Sequence, residues 1–278
     1  MNEILIVEKL CKNFTKKSIF QSKSHTVTAA DNVSFSLNQD EILAIAGQSG
    51  SGKSTIAKLI LRAIEPDSGK IFFEGNEIND DSAALKKLRM HCQMVYQDPY
   101  DSINPRMRIH DIINEPLEIH NIGTKETRNQ LVLNVLQEVK LEPVEDIAKK
   151  YPHMLSGGQR QRVVIARALV VKPKIIIADE PVSMLDVSIR AEILELMNEI
   201  QKKNKISFIY ITHDLATAKH FADRIIILYE GKIVETGNIK NVLREPKHQY
   251  TKALIDAVSE PDPENLYKEK KISWQIKE

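Results

Sequence analysis

Two cysteines, one tryptophan and no apolar run of bilayer-spanning length mark what this chain of 278 residues does without. Cys11 and Cys92 lie far apart and form no C-x-x-C pair, which argues against a disulfide framework or a thiolate metal site and suits a reducing cytosol. Both flank apolar segments and are expected to pack as small core residues. With no run of eighteen apolar residues, no transmembrane helix is expected. The first ten residues place Glu3 and Glu8 in a β-like run and lack the shape of a signal peptide. Charge of one sign is also missing. Lys and Arg number 39 against 38 Asp and Glu, a net charge of +1, so neither nucleic acid nor an anionic membrane surface is expected as the main partner. No repeats, low-complexity tracts or heptad runs appear. What remains, 42% hydrophobic and 28% charged, is an ordinary globular balance, long enough for one large α/β domain or a core with a smaller lobe.

Strands are expected at residues 4–14, 27–37 and 42–46, the first two separated by a polar loop over 15–26. A helix should follow 47–55, because Ile56, Leu59, Ile60, Ala63 and Ile64 share a helical face before the breaker run Glu65-Pro66-Asp67-Ser68-Gly69. From Ser82 the pattern changes. A short helix (85–90) and a short strand (92–96) precede a loop at 98–108 and a mostly helical block at 109–152. The alternation then resumes: helix at 159–171, strand at 174–178, helix at 188–203, strand at 207–211, helix at 215–222, strands at 224–228 and 232–236. Strands alternating with helices predict a mainly parallel sheet covered on both faces, interrupted by an inserted helical lobe. The tail at 259–278, with Pro261, Pro263, the 268–271 charge cluster and Trp274, is expected to be loosely held.

Gly47-Gln48-Ser49-Gly50-Ser51-Gly52-Lys53-Ser54-Thr55 stands between a buried strand and a helix, with the spacing G-x-x-x-x-G-K-S of phosphate-binding loops. A glycine-rich turn holding a lysine is the bland alternative, and the flanking strand and helix argue against it. Glycines let backbone N–H groups converge on a phosphate; Lys53 can place a charge beside the β- and γ-phosphates of a nucleotide, and the Ser54 hydroxyl can take a place on Mg²⁺. Farther on, the apolar run at 175–178 ends in Asp179-Glu180. Asp179 at a strand's carboxyl end is suited to hold Mg²⁺, and Glu180 to polarise an attacking water. Leu155-Ser156-Gly157-Gly158-Gln159 precedes an arginine-rich helix. Alone it would be a helix N-cap; it is also a second anion-binding design, which two chains arranged head to tail would need and one chain would not.

Together with Gln97, Asp186 and His213, these stretches resemble the ATP-binding subunit of ABC transporters in order and approximate spacing over nearly the whole chain. The segment 96–106 around Gln97, the stretch His248-Gln249-Tyr250-Thr251-Lys252-Ala253-Leu254 and the polar insertion before Val27 are similar to the oligopeptide, dipeptide and nickel importer branch. The resemblance implies a phosphate-loop NTPase core with a mainly parallel sheet, an antiparallel β subdomain and an inserted α-helical subdomain. It further implies an ATPase domain over 1–258, with core 1–90 and 155–245, helical subdomain about 91–154 and C-terminal extension 246–278.

By the same resemblance Phe14, or Phe20, would stack on adenine, and Gln97 would sense Mg²⁺ and the attacking water. Ser156, Gly157, Gly158 and Gln159 would meet the γ-phosphate of ATP held by a second subunit, Asp186 would organise that contact, and His213 would touch the γ-phosphate. Catalytic roles fall to Glu180, His213, Gln97 and Lys53; Mg²⁺ falls to Ser54, Gln97 and Asp179. The implied partners are a second ATPase subunit of a different chain, two membrane-spanning permeases and an extracytoplasmic substrate-binding protein, at the cytoplasmic face of a prokaryotic membrane. The expected cargo is peptide; nickel, metal chelates and oligosaccharides stay open, as does a soluble ABC ATPase without a transport role. Partner-helix contact is expected near Arg106 or along 109–117. Three departures stand out: Ser51 where the branch often has Cys, Met184 where Ala is usual, and Gln249 for the usual Pro. No cysteine cluster follows the core, so no iron–sulfur centre is expected.

Overall fold

The computed structural model describes residues 3–16, 25–79 and 82–258. The chain runs through β1 (Glu3–Lys16), β2 (His25–Asn38), β3 (Ile42–Ala46), α1 (Lys53–Ile60), β4 (Ser68–Phe73), β5 (Asn76–Glu77), α2 (Ser82–His91) and β6 (Cys92–Val95). Next come α3 (Ile109–Ile119), α4 (Lys125–Glu138), α5 (Val144–Lys149), a 3-10 turn at Pro152–Met154 and α6 (Gly157–Leu169). The last part holds β7 (Ile175–Asp179), α7 (Val187–Asn204), β8 (Ser207–Thr212), α8 (Leu215–Phe221), β9 (Arg224–Tyr229), β10 (Lys232–Asn238), α9 (Ile239–Arg244) and α10 (Gln249–Val258).

Successive residues of a strand face opposite sides, so a strand apolar throughout must be covered twice. The six-stranded sheet, ordered β10-β9-β3-β8-β7-β6, obeys this. Its strands are parallel except β10, which returns antiparallel on β9. Ala44, Ile176, Phe208, Tyr210 and Ile225 pack into a core shared with α3 to α8. Leu43, Ile45, Ile177, Ile209 and Ile226 pack on the other face against α1 and a second sheet. That second sheet is antiparallel, ordered β2-β1-β4-β5. The fold class is therefore the expected one.

Four local expectations differ from the structure. Strand pairing reaches further into the polar stretch at 15–26 than its composition suggests, with Phe14 opposite Val27 and Thr15 opposite Thr26. Helix α1 stops at Ile60 because Arg62 turns left-handed at φ 51°. Its N–H reaches the Leu59 carbonyl at 3.0 Å and that of Ala63 the Lys58 carbonyl at 2.9 Å, a Schellman ending usually built on glycine. The helical insertion drawn from about 91 includes β6, yet β6 pairs in parallel with β7 as the sheet's edge. Within α3, Ile109, Ile112, Ile113 and Leu117 are at most 2% exposed, so most of the 109–117 face expected to meet a partner is buried against α4, α5 and α6. Phe20 and the tail at 259–278 lie outside the described residues.

Cys92 lies in β6, 1% exposed, where burial pushes its thiol up to about 12. Cys11 is only half-buried, its Sγ accepting the Asn32 N–H at 3.3 Å, so one of the two expected core cysteines is at the margin. Since the thiolate is the nucleophile, a maleimide added to the native protein at pH 8 should label Cys11 and spare Cys92 until denaturant is added. Mass spectrometry of the two tryptic peptides reads the difference.

Candidate functional site

Residues 47–55 connect the carboxyl end of β3 to the start of α1. A strand that stops and a helix that starts leave several N–H groups facing one space, with the helix dipole's positive end added. The turn demands glycine most clearly at Gly52, which has φ +105°. A Cβ there would lie 2.0 Å from the Ala29 carbonyl oxygen. No side chain is compatible with both conditions.

The loop is fastened from behind. Gly231 N–H donates to the Ser51 carbonyl at 2.9 Å and Ser51 N–H to the Gln48 carbonyl at 3.2 Å. Gln48 N–H donates to the Tyr250 hydroxyl at 2.9 Å. Lys53, the first residue of α1, is 5% exposed, and its Nζ donates to the carbonyls of Gly47 and Gln48, both at 2.8 Å. Burial lowers the pKa of this ammonium, while the carboxylates of Glu180 and Asp179 oppose that shift. Asp179 closes β7. Burial raises its carboxyl above the usual range against a hydrogen bond from Ser54. Its Oδ1 is buried without a hydrogen-bond partner among the described residues.

Glu180 leaves the strand with φ 47°, a left-handed conformation uncommon outside glycine. Its N–H donates to the Ile211 carbonyl at 2.9 Å, which ties the turn to β8. The carboxylate then stands 3.0 Å from His213 Nδ1, with the glutamate side chain 15% exposed and the histidine 57%. The acid is sheltered and the imidazole faces open space. Both line a cleft of about 820 Å³, together with Phe14, Gln97 and every residue of 47–55 except Ser51. Phe14 is 41% exposed, so it is a wall residue of that cleft and not part of the core.

Ser156, Gly157, Gly158, Gln159 and Asp186 are not among the cleft's lining. Ser156 and Gln159 form a capping box on α6: Gln159 N–H donates to the serine hydroxyl at 3.3 Å, and Ser156 N–H to the glutamine Oε1 at 3.0 Å. Asp186 is the N-cap residue of α7, with no hydrogen bond from its side chain to that helix's first turn. Both segments carry exposed apolar neighbours, Met154, Met184 and Val187 at 55%, 59% and 81%. The cleft also has walls not foreseen: Val27 and Ala29 from β2, and Leu254 and Ala257 from α10. Of these, Val27 and Ala29 lie in the expected strand 27–37 and Leu254 ends the stretch 248–254, which carried a resemblance but no role; Ala257 had no signal.

The family described as ABC transporter matches residues 30–183, and the family described as the C-terminal region of oligopeptide/dipeptide transporters matches 234–276. The oligopeptide transport ATP-binding protein OppF of Bacillus subtilis is 43% identical over 262 residues, 93% of this chain and 85% of that protein. The protein of the same name from Streptococcus mutans is 45% identical over 245 residues, covering 87% and 79%. Among solved structures, the ATP-binding cassette MJ0796, described as a dimer in a post-hydrolysis state bound to ADP and Pi, superposes with a TM-score of 0.73. It is 30% identical, over 84% of this chain and 98% of that one.

Gly52, which caps α1, and Gly157, which begins α6, should respond differently to a methyl group. Gly52→Ala is expected to lower unfolding free energy by more than about 2 kcal/mol, from strain plus the clash. Gly157→Ala, whose Cβ would meet Leu185 at an ordinary 3.6 Å, should stay within about 1 kcal/mol of the parent. Urea unfolding followed by circular dichroism measures both.

Proposed function

The chain belongs to the ABC transporter family, and on that footing we propose that it is the ATP-hydrolysing subunit that energises a peptide importer. It uses ATP and Mg²⁺ and couples hydrolysis to transport. One observation carries the residue-level reading: Glu180 and His213, 3.0 Å apart, line the same cleft as residues 47–50 and 52–55.

The residues fit the nucleotide and metal. Convergent loop N–H groups and the Lys53 ammonium suit a polyphosphate, and a phosphate there would offset the desolvation of that buried charge. The unpartnered Asp179 Oδ1 and the Ser54 hydroxyl are hard oxygen donors suited to Mg²⁺. Bound there, the metal would draw charge from phosphate oxygens. Gln97, exposed at the cleft after β6, would orient the attacking water and report on the metal. Glu180 would take the proton of that water as its oxygen bonds phosphorus and ADP leaves. His213, its Nδ1 beside Glu180, would turn Nε2 toward the γ-phosphate, and Phe14 would stack on the base.

Because the Ser156–Gln159 box and Asp186 are absent from this chain's own cleft, they would serve the nucleotide of a second ATPase subunit. The exposed Met154, Met184 and Val187 beside them suit burial in that contact. Closure of two subunits around ATP and their parting after hydrolysis would supply the motion passed to the permeases. Among the described residues no helix is long and apolar enough to cross a membrane. The chain would attach at the cytoplasmic face of a prokaryotic membrane, with a substrate-binding protein on the other side. With most of the α3 face buried, permease contact would fall to the exposed Arg106 or to a groove that includes Met94, Tyr96, Pro116, Ile119 and His120, where Ile119 is 61% exposed.

Glu180→Gln keeps the side chain's shape and removes the proton acceptor. Turnover should fall by about 10²- to 10⁴-fold while ATP binding persists and an ATP-bound dimer accumulates on gel filtration; turnover near the parent rate would sink Glu180 as the base. Ile119→Glu tests the groove. It should leave ATPase activity of the purified chain within about twofold and cut peptide uptake by the assembled transporter at least tenfold, since a buried charge is poorly tolerated at an interface. Undiminished uptake rules the groove out.

A further inference from the structure

The segment beyond β10 is bound into the molecule more tightly than an appended tail requires. Glu235 of β10 accepts the N–H groups of Lys247 and His248, at 2.8 and 3.0 Å. His248 Nδ1 in turn accepts the Tyr250 N–H at 3.1 Å, and α10 starts from that turn. Gln249 occupies the first helical position, where proline is tolerated but not required, so its departure from the branch pattern leaves α10 intact. The Tyr250 ring lies against Tyr229, with centroids 4.3 Å apart, and is 4% exposed.

From that seat the Tyr250 hydroxyl accepts the Gln48 N–H at 2.9 Å. The bond fixes one peptide of the phosphate loop from a residue far along the chain. One turn on, Leu254 faces the cleft, and Ala257 follows at the next helical step, i, i+3. Both share the cleft with Phe14 and Val27, which are 41% and 50% exposed and belong to the paired ends of β1 and β2. An apolar wall made of two strands and one helix suits a flat apolar group and does nothing for a phosphate.

We propose that α10 is a working part of the nucleotide site: Tyr250 positions the phosphate loop through Gln48, and Leu254 with Ala257 forms the wall that faces the purine base. This rests on the reading of the cleft as an ATP site and adds to it a second source of base affinity besides Phe14. The two parts of α10 act on different parts of the ligand. Loss of the Tyr250 hydroxyl should weaken anything held by the loop, whereas altering the wall should weaken only ligands that carry a base.

Titration calorimetry of the full chain with Mg²⁺ and either ATP or inorganic tripolyphosphate separates them. Tyr250→Phe keeps the ring and should weaken both ligands by about three- to tenfold, the worth of one neutral hydrogen bond. Ala257→Gln, at an exposed position where folding is not at stake, should weaken ATP at least threefold and leave tripolyphosphate within twofold. Leu254→Asn should do the same, with thermal unfolding recorded to exclude collapse of α10. Parent-like binding of both ligands by Tyr250→Phe and Ala257→Gln overturns the proposal. Equal losses for both ligands in Ala257→Gln overturn the base wall. If the parent chain binds neither ligand and Lys53→Ala is indistinguishable from it, the ATP reading itself falls.

Discussion

A buried ammonium must be surrounded by oxygen, and most of the site follows from meeting that need at Lys53. Left alone at 5% exposure the charge would be expelled or neutralised. The loop bends so that two of its own carbonyls, Gly47 and Gln48, meet Nζ. Glu180 and Asp179 supply negative charge from the end of β7. Burial pulls Lys53 and Asp179 toward their neutral forms, and each opposes the shift of the other. Such a group of charges is only partly compensated by the protein, which is the condition for a bound polyphosphate and its cation to complete it. Strand β8 lies between β3 and β7, parallel to both, so the loop and the two acids come together at the carboxyl ends of these interior strands.

Much of this was legible in the residues because the strongest signals are local. An apolar run bounded by turn residues reads as a buried strand, and the loop spacing reads as a phosphate cradle once a strand precedes it and a helix follows. Long-range features were less visible. Arg62 ends α1 in a conformation that favours glycine, so the helical face marked by Ala63 and Ile64 continues in sequence after the helix has ended. Strand β6 falls after the change of pattern at Ser82 and so was grouped with the helical insertion; only its pairing with β7 makes it part of the sheet. Apolar residues of α3 marked a face correctly but not what covers it, and α4, α5 and the core helix α6 do.

The role of the stretch at 248–254 was invisible for a related reason. No helix was expected there, yet α10 forms over Gln249–Val258 and buries Tyr250 to 4% exposure. Its hydroxyl nevertheless ends on a backbone N–H more than two hundred positions earlier, a distance no local pattern encodes. Cys11 shows the opposite error: a cysteine in an apolar strand reads as buried, yet strand β1 leaves it half-covered beside Asn32.

The glycines of the second motif separate what this chain needs from what another chain would need. Gly158 is explained internally, since a Cβ there would stand 2.6 Å from Ile189 Cγ2 and hold α6 off α7. Gly157 is not. Its Cβ would make only an ordinary 3.6 Å contact with Leu185, its φ is not in the left-handed range, and alanine would favour the helix it begins. Ser156 is exposed, and its hydroxyl accepts from Gln159 while keeping its own hydrogen to donate. The helix start is held in shape by its own cap, yet the bare Gly157 and the unused hydroxyl hydrogen of Ser156 answer no need of this fold. The cap and the anion site suggested for residues 156–159 are therefore compatible: the capping box sets the geometry in which a neighbouring subunit's phosphate would be met.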